Sequence, residues 1–312
     1  MCFKIQPTAT MCTTFTPPNA HLTPLERSVR DKRPADLAIR LGNYAKALLL
    51  RIFLFRGCRV LELGCGTGSN ILKFEASGAS HVTFVDNDRA KIDETIRRLR
   101  NRTHLPGALR SYDTIVFDFT ADFSAEFGTG NFDFVLTMYS LQYAAKNMPS
   151  LPLFFRRCLL SLKNGGLFVA ILPNYQRLCR ALVAERPGAG PGAGPGAGVP
   201  VERLFTVKAG PEFHSGKSGA PYLFQVHGQE AFSEYTLLVP DLLEASSRYF
   251  SPYFVGPISE FADKYTDEYP CLAQSLSTFI LKPGRALDSS SADFDLYNLY
   301  DVVILRANHN LK

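Results

Sequence analysis

The octet Glu62-Leu63-Gly64-Cys65-Gly66-Thr67-Gly68-Ser69 holds the residues with the clearest chemical use. An apolar run, residues 59–63 (RVLEL), ends in it, glycines bend the backbone without side chains, and a helical pattern opens over residues 69–76. A strand, turn and helix in that order let main chain approach a nucleotide-like ligand beside a helix N-terminus. A side chain at Gly64 is expected to push into ligand space. About twenty residues on, Asp86 ends a second apolar run, residues 81–85, where a carboxylate can accept both ribose hydroxyls. Asp118 closes a third, residues 114–117, where an acid commonly meets an adenine amino group, with Asp122 as its rival. Taken alone, each carboxylate could equally be a helix N-cap or a surface acid. Their recurrence at successive strand ends points to one ligand.

Dinucleotide enzymes place GxGxxG at the same turn. Here the acid two residues before Gly64, and the cysteine inside the turn, favour the E/DxGxGxG pattern of S-adenosylmethionine binders. Glu62 would then accept from the methionine ammonium, with Gly64 and Gly66 as the close backbone.

The elements that must hold these residues alternate between strand and helix. Helical spacing covers residues 36–55 and 88–100, a fourth strand covers Phe132–Met138, a helix residues 151–162 and a fifth strand residues 167–172. Such alternation implies right-handed crossovers and an α/β fold with a doubly wound, mostly parallel sheet. Residues 204–208 and 222–227 read as an inserted hairpin at about 203–228, residues 235–250 as a helix, and residues 253–258 and 300–305 as late strands. Residues 1–34, rich in Thr and Pro, read as a disordered tail whose basic stretch (Arg27, Arg30, Lys32, Arg33) is a solvated face or a nuclear-import or RNA-contacting arm. Three Pro-Gly-Ala-Gly copies at residues 187–198 make a flexible linker within a domain over residues 35–312.

Composition sets the outer limits. At 312 residues, 46% hydrophobic and 20% charged, with mean hydropathy −0.02, the chain can bury a sizeable core. The longest apolar run, residues 47–55, is broken by Arg51 and falls short of the roughly 20 residues a bilayer needs, so no membrane span is expected. Residues 1–18 lack a secretory apolar stretch, so secretion is not expected either. Net charge +5 is compatible with a polyanionic ligand. Seven cysteines without a CxxC pair give no disulfide framework and no zinc cluster, which points to a reducing compartment, and no metal is expected.

Further motifs resemble the mRNA cap (guanine-N7) methyltransferases, from about Leu37 to Asn308. Asn43-Tyr44-Ala45-Lys46 resembles the family's N-N-W-x-K, and Val60 to Gly66 its V-L-D-L-G-C-G. Phe132-Asp133-Phe134-Val135 with Met138-Tyr139-Ser140-Leu141-Gln142-Tyr143 is similar to F-D-x-x-x-x-Q-F-x-x-H-Y. Leu162 to Phe168, then Leu172-Pro173-Asn174, resemble L-x-P-G-G-x-F with T-x-P-N/D, and Ser233-Glu234-Tyr235 the P-E-F/Y block. Tyr300 sits where a late tyrosine precedes the last strand. Met138 stands at the family's Gln, Gln142 at its His, Thr67 at the Lys of G-C-G-K, and Asn70 at a nearby Asp.

The resemblance implies a Rossmann-like class I methyltransferase fold with a seven-stranded sheet, helices on both faces and the inserted hairpin. It implies S-adenosylmethionine as cofactor, S-adenosylhomocysteine as product, and methyl transfer to N7 of the 5′-terminal guanosine of capped RNA. The cofactor side would be Lys46, Glu62, Gly64, Gly66, Asp86, Asp118 and the backbone near Met138. The cap side would be Asn43, Gln142, Tyr143, Glu234 and Tyr300, with Glu234 accepting from guanine N1–H and the exocyclic amine. Lys73 and Arg177 are weaker triphosphate candidates. Guanine N7 has a free lone pair, so no catalytic base, nucleophile or metal is implied. Expected partners are the capped 5′ end and possible guanylyltransferase, triphosphatase or RNA polymerase machinery, in the nucleus or a viral factory. A small-molecule methyltransferase would share the cofactor motifs without a use for Glu234 or Tyr300. A non-catalytic methyltransferase-like subunit would have no reason to keep the Gly64–Gly68 turn with Asp86. A dinucleotide oxidoreductase would leave the late blocks unexplained.

Overall fold

The computed structural model describes residues 36–105, 107–122, 127–183, 204–280 and 292–309. The expected tail and the Pro-Gly-Ala-Gly linker lie outside them. Chain order begins with helix α1 (Asp36–Phe53), then β1 (Arg59–Leu63), α2 (Ile71–Ser77), β2 (His81–Asp86), α3 (Arg89–Arg100), β3 (Tyr112–Val116) and β4 (Phe132–Met138). A 3-10 segment (Leu141–Ser150) leads to α4 (Leu151–Ser161), β5 (Leu162–Pro173) and α5 (Tyr175–Val183). The third part holds β6 (Phe205–Ala209), β7 (Pro221–Val226), β8 (Phe232–Tyr235), α6 (Val239–Ser246) and β9 (Phe250–Pro257). Helices α7 (Ile258–Glu268), α8 (Pro270–Ile280) and α9 (Ala292–Tyr297) precede the last strand, β10 (Tyr300–Ala307).

The main sheet has seven strands in the order β3-β2-β1-β4-β5-β10-β9. Strands β1 to β5 are parallel, and β10 runs antiparallel to both β5 and β9. Strands buried on both sides must be apolar at nearly every position, and here neighbours divide between two cores. Val60, Leu136 and Val169 face one core, with α1, Phe74 and Leu99; Leu61, Val135 and Phe168 face the other, with Phe154 and Phe155 of α4. The seven-stranded α/β expectation is met.

The inserted segment differs from expectation. The extended stretches do pair, but a third strand joins them, giving a separate antiparallel sheet β6-β7-β8. The expected helix over residues 235–250 contracts to α6 because Tyr235 belongs to β8. Helices α7 and α8, which cover α1, had no counterpart in the sequence reading. The small sheet is fastened to α5 through Phe213, fully buried, whose ring lies 5.2 Å from Tyr175 and 5.6 Å from Tyr222. Tyr175 Oη also donates to the Phe213 carbonyl at 2.8 Å.

Phe213→Ala is expected to remove about 3–5 kcal/mol of packing. The loss should fall on the small sheet, so hydrogen exchange should speed up over residues 205–235 and not in β1 or β2. Equal acceleration in both sheets would contradict this anchoring.

Candidate active site

Strand order reverses between β1 and β4, and open α/β sheets bind ligands at the carboxyl ends of strands at such a point. The glycine turn lies there. Gly64 and Cys65 N–H both donate to the Val85 carbonyl, at 2.8 and 2.9 Å, and Gly66 N–H donates to Asp86 Oδ2 at 2.8 Å. Asp86 Oδ1 accepts from Asp88 N–H at 3.1 Å. Asp86 is thus fixed by main chain, and each oxygen keeps a further lone pair.

The two glycines do different work, which corrects one expectation. Gly64 has φ +75°, and a Cβ there would stand 2.4 Å from Ser140 Cβ. A side chain at 64 would therefore collide with the protein and unsettle the turn, instead of entering ligand space. Gly66, at φ +57°, would direct a Cβ into open space. The open side of the turn is therefore the one its missing side chain would occupy.

Behind the turn lies a buried charge cluster. Glu62 is 1% exposed; Asn70 Nδ2 donates to its Oε1 at 2.6 Å, and Oε2 has no partner. Burial raises its carboxyl to about 7, against the lowering pull of Asn70, Lys46 and Lys73. An aspartate at 70 would set a second carboxylate against it, which the amide avoids. Lys46 is buried too, its ammonium lowered to about 8 by desolvation, with Glu62 attracting it and its Nζ 5.3 Å from the ring centre of Tyr139. Asn43 and Lys73 turn out to be joined, Lys73 Nζ donating to Asn43 Oδ1 at 3.2 Å and to the Ser69 carbonyl at 3.1 Å.

Asp118 lies beyond the end of β3, exposed, and its Oδ1 accepts from Thr120 N–H and Oγ1 at 2.9 and 2.7 Å. Its rival Asp122 is paired with Arg157 Nε of α4 at 3.0 Å. Met138 is buried at the end of β4. Arg177 is engaged with the Tyr300 carbonyl at 3.3 Å and Asp301 at 3.6 Å, holding the start of β10.

The second group of candidates converges on Glu234. Strand β8 carries it, 8% exposed, in among polar side chains. Gln142 Nε2 donates to its Oε1 at 3.0 Å and Tyr222 Oη to its Oε2 at 2.7 Å. Burial raises its carboxyl, and the two donors oppose that rise. Gln142 is 1% exposed and its own Oε1 has no partner. Burial pushes Tyr143 up to about 12, with Glu234 and Asp86 adding repulsion, so this phenol senses both halves of the site. Tyr300 is raised by burial and then by Glu234, Tyr139 and Tyr143. Sequence reasoning missed Tyr222 and Tyr139. Tyr222 lies directly across the β7–β8 ladder from Glu234, a relation visible only once β8 is recognised as a strand.

Residues 60–166 match the family model described as "Methyltransferase domain". The chain is similar to mRNA cap guanine-N(7) methyltransferases of Caenorhabditis elegans (26% identical over 245 residues, 75% of this chain, 62% of that protein) and Drosophila melanogaster (25% over 264 residues, 77% and 58%). The Saccharomyces cerevisiae protein of the same description is 32% identical over 162 residues, 46% of this chain and 35% of that one. The chain spans from about a third to about three-fifths of the length of these relatives. Two solved structures share the fold. They are the PH0226 protein of Pyrococcus horikoshii (TM-score 0.52, 15% identity, 85% of this chain, 89% of that one) and a Listeria monocytogenes protein described as an S-adenosylmethionine dependent methyltransferase (0.51, 16%, 86%, 99%). The chain therefore has the class I methyltransferase fold, with S-adenosylmethionine as its cofactor. The residues fit that molecule. The buried, unpartnered Glu62 Oε2 is an acceptor suited to an ammonium, Gly66 leaves open space, and Asp86 retains lone pairs for ribose hydroxyls.

Glu62 gives the binding a pH dependence of known sign. A carboxyl near 7 in the free protein is largely protonated at pH 6, and an arriving ammonium favours the ionised form, so a proton must leave. Cofactor affinity should rise about tenfold from pH 6 to pH 7.5, with proton release seen by calorimetry in buffers of different ionisation heat. Glu62→Gln should flatten the profile. A flat profile in the unaltered protein would remove Glu62 from the ammonium site.

Proposed function

We propose that this protein transfers a methyl group from S-adenosylmethionine to N7 of the 5′-terminal guanine of capped RNA. The observation that carries the reading is Glu234, a buried carboxylate clamped by Gln142 and Tyr222 and flanked by Tyr143 and Tyr300. Two parallel acceptors match the N1–H and exocyclic N–H of guanine. Buried carboxylates are costly unless paired; Gln142 and Tyr222 take one lone pair on each oxygen, and a guanine edge would take a second on each. The relatives named for cap methylation support the same substrate.

The cofactor supplies an electrophilic methyl on sulfonium. What this chain supplies is alignment: Glu234 fixes the in-plane rotation of the base, and the tyrosines offer aromatic faces for base and ribose. N7 carries its own lone pair, so no residue has to remove a proton. As the N7–methyl bond forms, positive charge grows on the guanine, and an ionised Glu234 hydrogen-bonded to that ring stabilises it. Holding nucleophile, methyl and sulfur in line is the larger share of the acceleration.

Glu234→Gln replaces an acceptor with a donor facing the guanine N–H groups. It should lower methyl transfer to GpppG-capped RNA about ten- to a hundredfold, from a mismatch of roughly 1–3 kcal/mol, while cofactor affinity stays within about twofold. Unchanged transfer would exclude Glu234 from the site. Transfer to small metabolites in preference to capped RNA, in the unaltered protein, would overturn the substrate.

A further inference from the structure

Tyr139 is the only non-glycine residue with positive φ among the described residues, at +64°. A bulky aromatic in that region is strained, and such strain persists where surrounding contacts hold it. Those contacts come from both halves of the site. The backbone N–H donates to the Ile171 carbonyl at 2.8 Å, closing the β4–β5 ladder at the carboxyl end of β4. The carbonyl accepts from Gln142 Nε2 at 3.0 Å, the same nitrogen that holds Glu234. The ring receives Lys46 at 5.3 Å on the cofactor side and meets Tyr300 edge-on at 4.7 Å and 76° on the other. A Cβ at Gly42 of α1 would come within 3.0 Å of Tyr139 Oη, so a glycine notch admits the phenol.

We infer that Tyr139 is a positioning residue that couples the cofactor-holding cluster (Lys46, Glu62) to the substrate-holding cluster (Gln142, Glu234, Tyr300). The assignment of the second cluster to capped RNA rests on the function proposed above; the coupling itself does not. The left-handed backbone breaks the strand's face-to-face alternation at Tyr139 and sets its ring between Lys46 and Tyr300. A ring with cation–π contact on one side and edge contact on the other transmits a displacement of either cluster to its neighbour. In an in-line transfer, a small misalignment across that seam slows the chemistry without abolishing binding.

The experiment is a mutant cycle read by calorimetric S-adenosylmethionine affinity, with no RNA present. Tyr300→Leu, on the substrate side, should weaken cofactor binding about threefold or more. In a Tyr139→Leu background the same change should have no further effect, whereas Tyr139→Phe, which keeps the ring, should preserve the coupling. Strict additivity would overturn the inference. If Tyr139→Leu does not fold, Lys46→Met combined with Tyr300→Leu reads the same coupling with Tyr139 intact, and additivity there overturns it equally. A second arm measures methyl transfer to GpppG-capped RNA. Tyr139→Leu should lower kcat about tenfold or more with KM for RNA within about threefold, and an equal loss carried wholly by KM would contradict a positioning role. Absence of transfer by the unaltered protein would refute the cap substrate, while the calorimetric cycle would still decide the role of Tyr139.

Discussion

The site depends on one contact at the strand reversal between β1 and β4. Ser140 Oγ donates to the Leu63 carbonyl at 2.7 Å, tying the chain after β4 to the end of β1. That bond needs the space that Gly64, lacking a side chain, leaves beside Ser140. With the two strand ends fixed, the turn can hang from the Val85 carbonyl, Asp86 can hold Gly66, and Tyr139 is set in its left-handed conformation one residue before Ser140. A glycine and a serine far apart in sequence thereby define the floor on which both ligand clusters stand.

Above that floor, polarity is concentrated where burial makes it expensive. Glu62, Lys46 and Glu234 are each largely removed from water, and each has its ionisation pushed toward neutrality by desolvation. Structural needs account for only part of their hydrogen-bonding capacity: Glu62 Oε2 and Gln142 Oε1 stay unpartnered inside the protein. Unmet capacity of that kind calls for an explanation, and a polar ligand edge beside each atom supplies one. Of the buried atoms without a partner, these two stand one on each side of Tyr139.

Much of this was legible in sequence because it is local. Period-two and apolar runs reveal β1 to β5, and the glycine turn announces itself by residue type. Glu62, Asp86, Gln142, Tyr143 and Glu234 could be named because turn chemistry and family motifs fix their positions. What escaped depends on long-range pairing. Strand β8 is four residues long and lacks an alternating pattern of its own, so Glu234 read as following a hairpin and its cross-strand partner Tyr222 went unnoticed. Helices α7 and α8 owe their places to packing with α1: Phe53 meets Phe261 and Tyr265 of α7, and Leu272 and Leu276 of α8 join the same core. The φ of Tyr139 has no signature in residue type, since a tyrosine is among the residues least suited to it. Asp118 was assigned by register alone, and the loop after β3 carries it past the strand end into a turn of its own with Thr120.

In the function proposed above, a paired acceptor on Glu234 selects guanine. The most direct measurement compares methyl transfer to RNA capped with guanosine and RNA capped with inosine, which lacks only the exocyclic amine. A site built around a hydrogen-bond donor rejects the analogue without it, because its buried acceptor is left unpaired. The inosine cap should be methylated about ten- to a hundredfold less efficiently; equal efficiency on the two caps would mean that Glu234 does not read the guanine edge.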